Sequence, residues 1–115
     1  MPLYRILPRA ELAAAETEGV FRGSSHDVRD GFIHLSAAHQ VRGTLAAHYA
    51  GRADLVLLVV DGEELVRSGG RIEWEPSRGG ERFPHLYGPL PLSRVTRRIS
   101  LELDASGEHV LPPLA

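Results

Sequence analysis

Residues 54–61 read DLVLLVVD. Six apolar residues stand in a row between two aspartates, and half of them are β-branched. The run is the length of a strand and too short for a helix of ordinary size. Apolar residues at both alternating positions mean that both faces are covered, as in a central strand. The rest of the chain must supply those two covers. Upstream, AAHQVRGTLAAHYAG (37–51) repeats Val41, Leu45 and Tyr49 at helical spacing, giving a buried stripe, and Gly51 ends it. Before it comes a strand, FIHLS (32–36), whose Ser36 is placed to cap that helix. VFRGSSHDVRDG (20–31) is mostly loop, rich in polar and turn residues. LYRIL (3–7) is the first strand. Pro8 suits the first turn of a helix through RAELAAAETE, which Gly19 terminates.

Downstream, residues 62–70 form a turn region with one short helical turn. RIEWE (71–75) alternates as a strand does, and PSRGGERFP (76–84) is a loop dense in glycine, proline and charge. HLYGPLPL (85–92) is short extended or turn structure. VTRRISLEL (95–103) is a last strand, partly exposed because Arg97 and Arg98 interrupt it. The tail HVLPPLA packs an apolar edge or frays. The expectation is a single α+β domain over residues 1–115, a compact split β-sheet core with two N-terminal helices. The strand-helix alternation of a Rossmann sheet is absent, and so are GxGxxG and Walker loops.

Composition narrows the function. The chain has 115 residues, 43% hydrophobic and 24% charged, enough to bury a core without disulfides or metal. A formal charge of -2 gives no electrostatic reason to expect nucleic acid or an anionic membrane as partner. Without cysteine there are no disulfides, thiolate nucleophiles or cysteine metal sites. All 13 basic residues are arginine, the usage of a GC-rich bacterial genome, so Schiff-base lysine chemistry is absent as well. MPLYRILPRAEL lacks the pattern of a secretory signal, and no apolar run approaches the ~20 residues of a membrane helix. A cytoplasmic protein is expected.

Four stretches carry side chains suited to chemistry. In FIHLS, Ile33 and Leu35 share the core face, while Phe32, His34 and Ser36 share the other. A histidine beside a hydroxyl can orient a ribose or shuttle a proton. The alternative is a structural histidine with Ser36 as a helix cap. In RIEWE, Ile72 and Trp74 face one way and Arg71, Glu73 and Glu75 the other, an arrangement of paired acids or of a solvated strand face. In RFPHLYGPL, His85 and Tyr87 fall on one side of an extended segment before Gly88-Pro89 turns it, suiting a flat ring or a ribose, or simply filling a core edge. In FRGSSHDVRDG, Arg22 and Arg29 can grip a phosphate, or with Asp27 and Asp30 solvate a loop. Six histidines raise the question of metal. There is no HExxH, and His39 and His48 are nine residues apart, facing away from each other on a helix. His34, His85 and a carboxylate can converge on zinc, but without support from spacing, and no metal is expected.

Gly23, Asp27, DGFIHLS, Gln40, DLVLLVVD, Trp74-Glu75 and FPHLYGPL, in this order, closely resemble the bacterial family known as domain of unknown function 952. The resemblance spans residues 3–100. It implies a fold similar to ADP-ribosyltransferases, with a cleft that binds NAD in the true enzymes. It further implies that His34 and Ser36 take ribose-binding roles and that Glu75 or Glu73 is the glutamate stabilising the oxocarbenium-like transition state. His85 and Tyr87 would line the cleft, and Arg5 or Arg22 would meet the pyrophosphate. The function so implied is binding of NAD or a related nucleotide, with cleavage of the nicotinamide glycosidic bond by His34 and Glu75. The alternatives are a non-catalytic nucleotide or metabolite binding module of the same fold, a metal-dependent hydrolase using His34 and His85, and a structural subunit.

Overall fold

DLVLLVVD forms the middle strand of a three-stranded antiparallel sheet in the computed structural model, which describes residues 1–114. In chain order the elements are β1 (Pro2–Pro8), α1 (Arg9–Glu18), β2 (Val20–Phe21), α2 (Ser25–Asp30), β3 (Ile33–His34), α3 (Val41–His48), β4 (Leu55–Asp61), α4 (Gly62–Arg67), β5 (Arg71–Pro76), β6 (Arg82–Tyr87), β7 (Leu90–Pro91) and β8 (Val95–Leu101). The sheets are β1-β4-β8, β2-β7 and β3-β6-β5, with antiparallel pairing throughout. The class is mixed α+β.

The alternation of β4 sorts the core into two parts. Val56, Leu58 and Val60 pack with Leu3, Leu7, Ala15, Ile33, Leu35 and Leu86, against α1 and the β3-β6-β5 sheet. Leu55, Leu57 and Val59 pack with Tyr4, Ile6, Val41, Leu45 and Leu101, under α3. Leu55 to Val60 are all buried, as a strand covered on both faces requires. In the tail, Leu111 and Leu114 pack against this second part; Ala115 lies outside the described residues. β8 turns Arg97 and Arg98 to solvent at the sheet edge, where charge blunts the exposed backbone.

Four α-helices replace the two expected. α1 matches its expected span and ends on Gly19 at φ 83, the left-handed conformation that glycine adopts cheaply. The segment 20–31, expected as loop, contains β2 and α2. Ser24 at the N-cap, Asp27 three residues on and Gly31 at the C-cap define a six-residue helix too short to show periodicity. α4 follows an Asp61 cap, whose carboxylate accepts from the Glu64 N–H at 3.0 Å. Ser36 does not cap the next helix. Gln40 does this work: its Oε1 accepts from the Ala37 N–H at 2.9 Å, and its Nε2 donates to the Arg82 carbonyl at 2.7 Å. β6 begins at Arg82, inside the expected 76–84 loop. No helix among the described residues is long and apolar enough to cross a membrane.

The two larger sheets touch through one bridge. Tyr4 and Ser36 exchange backbone hydrogen bonds of 2.9 Å in both directions. On one side of that bridge β1 and β3 part, and the opening between them becomes the cleft described below.

Truncating Leu58, fully buried in the middle of β4, to alanine should lower the unfolding free energy in urea by about 2–5 kcal/mol. Arg97→Ala on the exposed face of β8 should stay within about 0.5 kcal/mol of wild type.

Candidate functional site

Arg5 is the one charged residue inside an otherwise apolar strand, LYRIL. Alternation carries its side chain to the same face as Leu3 and Leu7, into the interior. A buried guanidinium must satisfy its donors there. Arg5 Nε donates to the Ile6 carbonyl at 3.2 Å, and Nη1 to Asp27 Oδ1 at 2.8 Å and the His34 carbonyl at 2.9 Å. Nη2 reaches Ser24 Oγ at 2.9 Å and Asp27 Oδ2 at 2.8 Å. The Ser24 hydroxyl in turn donates to Glu11 of α1.

Asp27 is the partner, with 1% of its side chain exposed against 4% for Arg5. Its Oδ2 also accepts the Ser24 N–H at 2.7 Å, and its Oδ1 accepts from the His34 N–H at 3.0 Å and from His34 Nδ1 at 2.6 Å. Burial by itself pushes the Asp27 carboxyl up; the hydrogen bonds from His34 and Arg5, with the Arg5 charge, overcome it and hold the group well below the ordinary carboxylate range.

These contacts explain the cleft. The N–H and C=O of Ser36 point to β1 and bond Tyr4. Two residues back, the N–H and C=O of His34 point to the same side but meet the Asp27 carboxylate and the Arg5 guanidinium. Two side chains stand where a strand neighbour would be, and β1 and β3 are held apart. The opening encloses about 490 Å³, within the ~300–1,000 Å³ typical of small-molecule sites.

His34 and His85 are directly opposed in the β3–β6 register, with ring centroids 5.5 Å apart, and both line this cleft. Their surroundings differ. His34 meets carboxylates at both ring nitrogens, Asp27 at Nδ1 and Asp30 Oδ2 at Nε2, 3.0 Å away. Each of its ring nitrogens therefore faces a carboxylate oxygen. His85 meets one carboxylate: its Nδ1 lies 2.8 Å from Glu75 Oε1, while its buried Nε2 has no hydrogen-bond partner. Phe32 stacks on the His85 ring at 3.9 Å between centroids, and the Tyr87 hydroxyl donates to the same Glu75 oxygen at 2.7 Å. Hydrogen bonds from Tyr87 and His85 lower the Glu75 carboxyl below its ordinary value, and the same Glu75 bond raises the Tyr87 phenol.

The site residues read from the sequence therefore separate. His34, Ser36 and His85 line the cleft, with the Ser36 hydroxyl 3.3 Å from that of Thr44. Glu75 and Tyr87 stand behind His85 and are not on the wall. Glu73 pairs with exposed Arg71 at 3.1 Å. Arg5 borders the cleft, but its guanidinium is committed to Asp27, Ser24 and the Ile6 and His34 carbonyls, and it builds the scaffold. Arg22 lies in another groove, ion-paired with Glu18, and does not reach the cleft. The cation that lines the cleft in its place is Arg29; His26 lines it too, and partial burial lowers its imidazole below the ordinary value. The reading of the sequence passed over His26, Thr44 and Tyr49, whose cleft positions have no local signature, and left Asp27 in a solvated loop. The capping pattern Ser24-x-x-Asp27 was the available signal for Asp27.

His26, Asp27 and His34 bring potential ligand atoms within 4.8 Å of one another. Both Asp27 oxygens are already engaged and its charge is matched by Arg5. Of the three, Asp27 and His34 are hydrogen-bonded to each other, while His26 Nε2 stands 3.8 Å from Asp27 Oδ1.

A family model described as protein of unknown function (DUF952) matches residues 6–98. The crystal structure of protein CC0527 from Caulobacter crescentus is similar at a TM-score of 0.87 and 52% sequence identity, covering 96% of this chain and 94% of that one. The solution NMR structure of CC0527 gives a TM-score of 0.81 at 52% identity, over 93% of this chain and 90% of that one. No curated protein matches the chain.

Because the Asp27 carboxyl is depressed in the folded protein, its contribution to stability is present above the ordinary carboxylate pKa of about 4 and is lost as pH falls below it. Asp27→Asn leaves Arg5 buried with half its partner and should cost about 3–5 kcal/mol at pH 7. Urea unfolding from pH 7 to pH 3 checks both points: wild type should weaken below about pH 4, and the gap between the two proteins should narrow there.

Proposed function

We propose that this chain, which belongs to the family described as protein of unknown function (DUF952), is an ADP-ribosyltransferase-like domain that binds NAD or a related nucleotide in the cleft between β1 and β3. The observation that carries the reading is the placement of His34 and His85. They face each other across one strand pair at the floor of a polar cleft of about 490 Å³. His85 Nε2 accepts a ribose hydroxyl. The Ser36 and Thr44 hydroxyls form a second polar contact on the opposite wall. Tyr49 and Phe83 supply flat apolar surface for a ring, and Arg29 offers positive charge to the phosphates.

The enzymatic form of this reading is cleavage of the nicotinamide glycosidic bond. A carboxylate at the ribose would stabilise the positive charge that builds as nicotinamide leaves. Glu75 is tied to His85 and Tyr87 behind the wall. The carboxylate that lines the cleft is Asp30, bound to His34 Nε2. The withdrawn position of Glu75 favours a second reading, a binding module of the same fold without turnover.

A ligand-observed titration with NAD, ADP-ribose and nicotinamide tests the proposal. Saturable binding of NAD or ADP-ribose is expected in the wild type and should be lost in His34→Ala. If the folded wild type binds none of the three, the nucleotide reading fails.

A further inference from the structure

We infer that His85 is the catalytic base of this site: its Nε2 takes the proton of the water or hydroxyl that attacks the nucleotide, while Glu75 holds the other ring nitrogen. The inference rests on the nucleotide reading above and adds to it an activity and the group that performs it.

Glu75 is an acceptor, so the hydrogen in the 2.8 Å contact sits on His85 Nδ1. In the neutral ring the lone pair is then on Nε2. That atom is buried and unpartnered, the one such side-chain atom among the described residues. An unmade hydrogen bond of this kind is destabilising, and folded proteins hold few of them. The ring lines the cleft and meets the His34 ring edge-on, with centroids 5.5 Å apart.

The rest of the ring is fixed. Phe32 covers one face at 3.9 Å. Tyr87 bonds the same Glu75 oxygen and is itself covered by Arg71, 4.6 Å from its ring centre. The lowered Glu75 carboxyl stays ionised and compensates the charge that His85 gains on protonation. One atom of the assembly is left without a partner, on a ring that lines the cleft. His34, with both nitrogens committed to carboxylates, has no such atom to offer.

The step balances without another reactant. The attacking O–H gives its proton to His85 Nε2. Its oxygen forms a bond to C1 of the ribose, and the bond from that carbon to the nicotinamide nitrogen breaks. The bonding pair stays on nicotinamide and neutralises the pyridinium ring. Imidazolium then loses its proton to solvent. Glu75 and Tyr87 are positioning residues: they touch the imidazole and not the nucleotide.

The experiment measures NAD affinity and nicotinamide release separately, between pH 5 and 9, for the wild type, His85→Ala and Glu75→Gln. In the wild type both should be detected. Glu75→Gln, at a partly exposed position and without loss of volume, should bind NAD with unchanged affinity and release nicotinamide about 10²-fold more slowly, with a displaced pH profile. His85→Ala should lose release to a similar extent and recover part of it when imidazole is added. Wild-type turnover that survives His85→Ala, or a loss in Glu75→Gln that appears as affinity alone, overturns the role of His85 and leaves nucleotide binding standing. NAD binding with no turnover in the wild type does the same. Absence of NAD binding in the wild type removes both readings at once, and the titration alone reveals it.

Discussion

The Arg5–Asp27 pair is the interaction on which the rest of the structure depends. It joins β1 to α2, reaches β3 through the backbone of His34, and reaches α1 through Ser24 and Glu11. Burying two charges is expensive, and their attraction offsets the cost only if the remaining lone pairs and protons are used. Here Arg5 makes four hydrogen bonds besides its ion pair, and Asp27 accepts three hydrogen bonds at Oδ1 and one at Oδ2. An apolar pair of similar volume would hold the core as well or better. It would not hold His34. The charge pair therefore matters less as a source of stability than as a means of placing one imidazole at the surface of a cleft.

The same pair explains why there is a cleft at all. β1 and β3 are set up to join into one continuous sheet, and at Tyr4 and Ser36 they do. At His34 the ladder is interrupted because side-chain groups occupy the backbone's hydrogen-bonding positions. An open strand edge is normally a hazard. Here it is satisfied from within, so the two sheets diverge without leaving unpaired backbone at His34. The opening is lined by side chains from both, which combines a rigid floor with polar walls.

Much of this was legible in the sequence, and the limits have physical reasons. The apolar run of β4 announced a strand covered twice, and Gly19 marked the end of α1 to the residue. Alternation placed Phe32, His34, His85 and Tyr87 on one side of their strands, and the pairing of β3 with β6 brought them together. Arg5 was legible as a charge on the inward face of an apolar strand, but its partner is 22 residues away and lies in a helix too short to be periodic. Ser36 before a helix looked like a cap because local spacing cannot show that Gln40 folds back to do the same work. Glu75 looked like a site carboxylate because a strand face shows direction and not depth. Only the tertiary structure puts His85 between it and the cleft.

That last distinction separates the two histidines. They are the same residue, opposed in register, with ring centres 5.5 Å apart. A carboxylate at each nitrogen fixes the His34 ring in place with neither nitrogen free. A carboxylate at one nitrogen makes His85 a fixed ring with one lone pair left. The two rings differ in how many of their nitrogens a carboxylate occupies. The division here follows from counting acceptors: Asp27 and Asp30 for one ring, Glu75 for the other. Tyr87 strengthens it by bonding Glu75 instead of either imidazole, which keeps that carboxylate anionic without occupying His85. His34 shapes the cleft and His85 is left with the atom that can act in it.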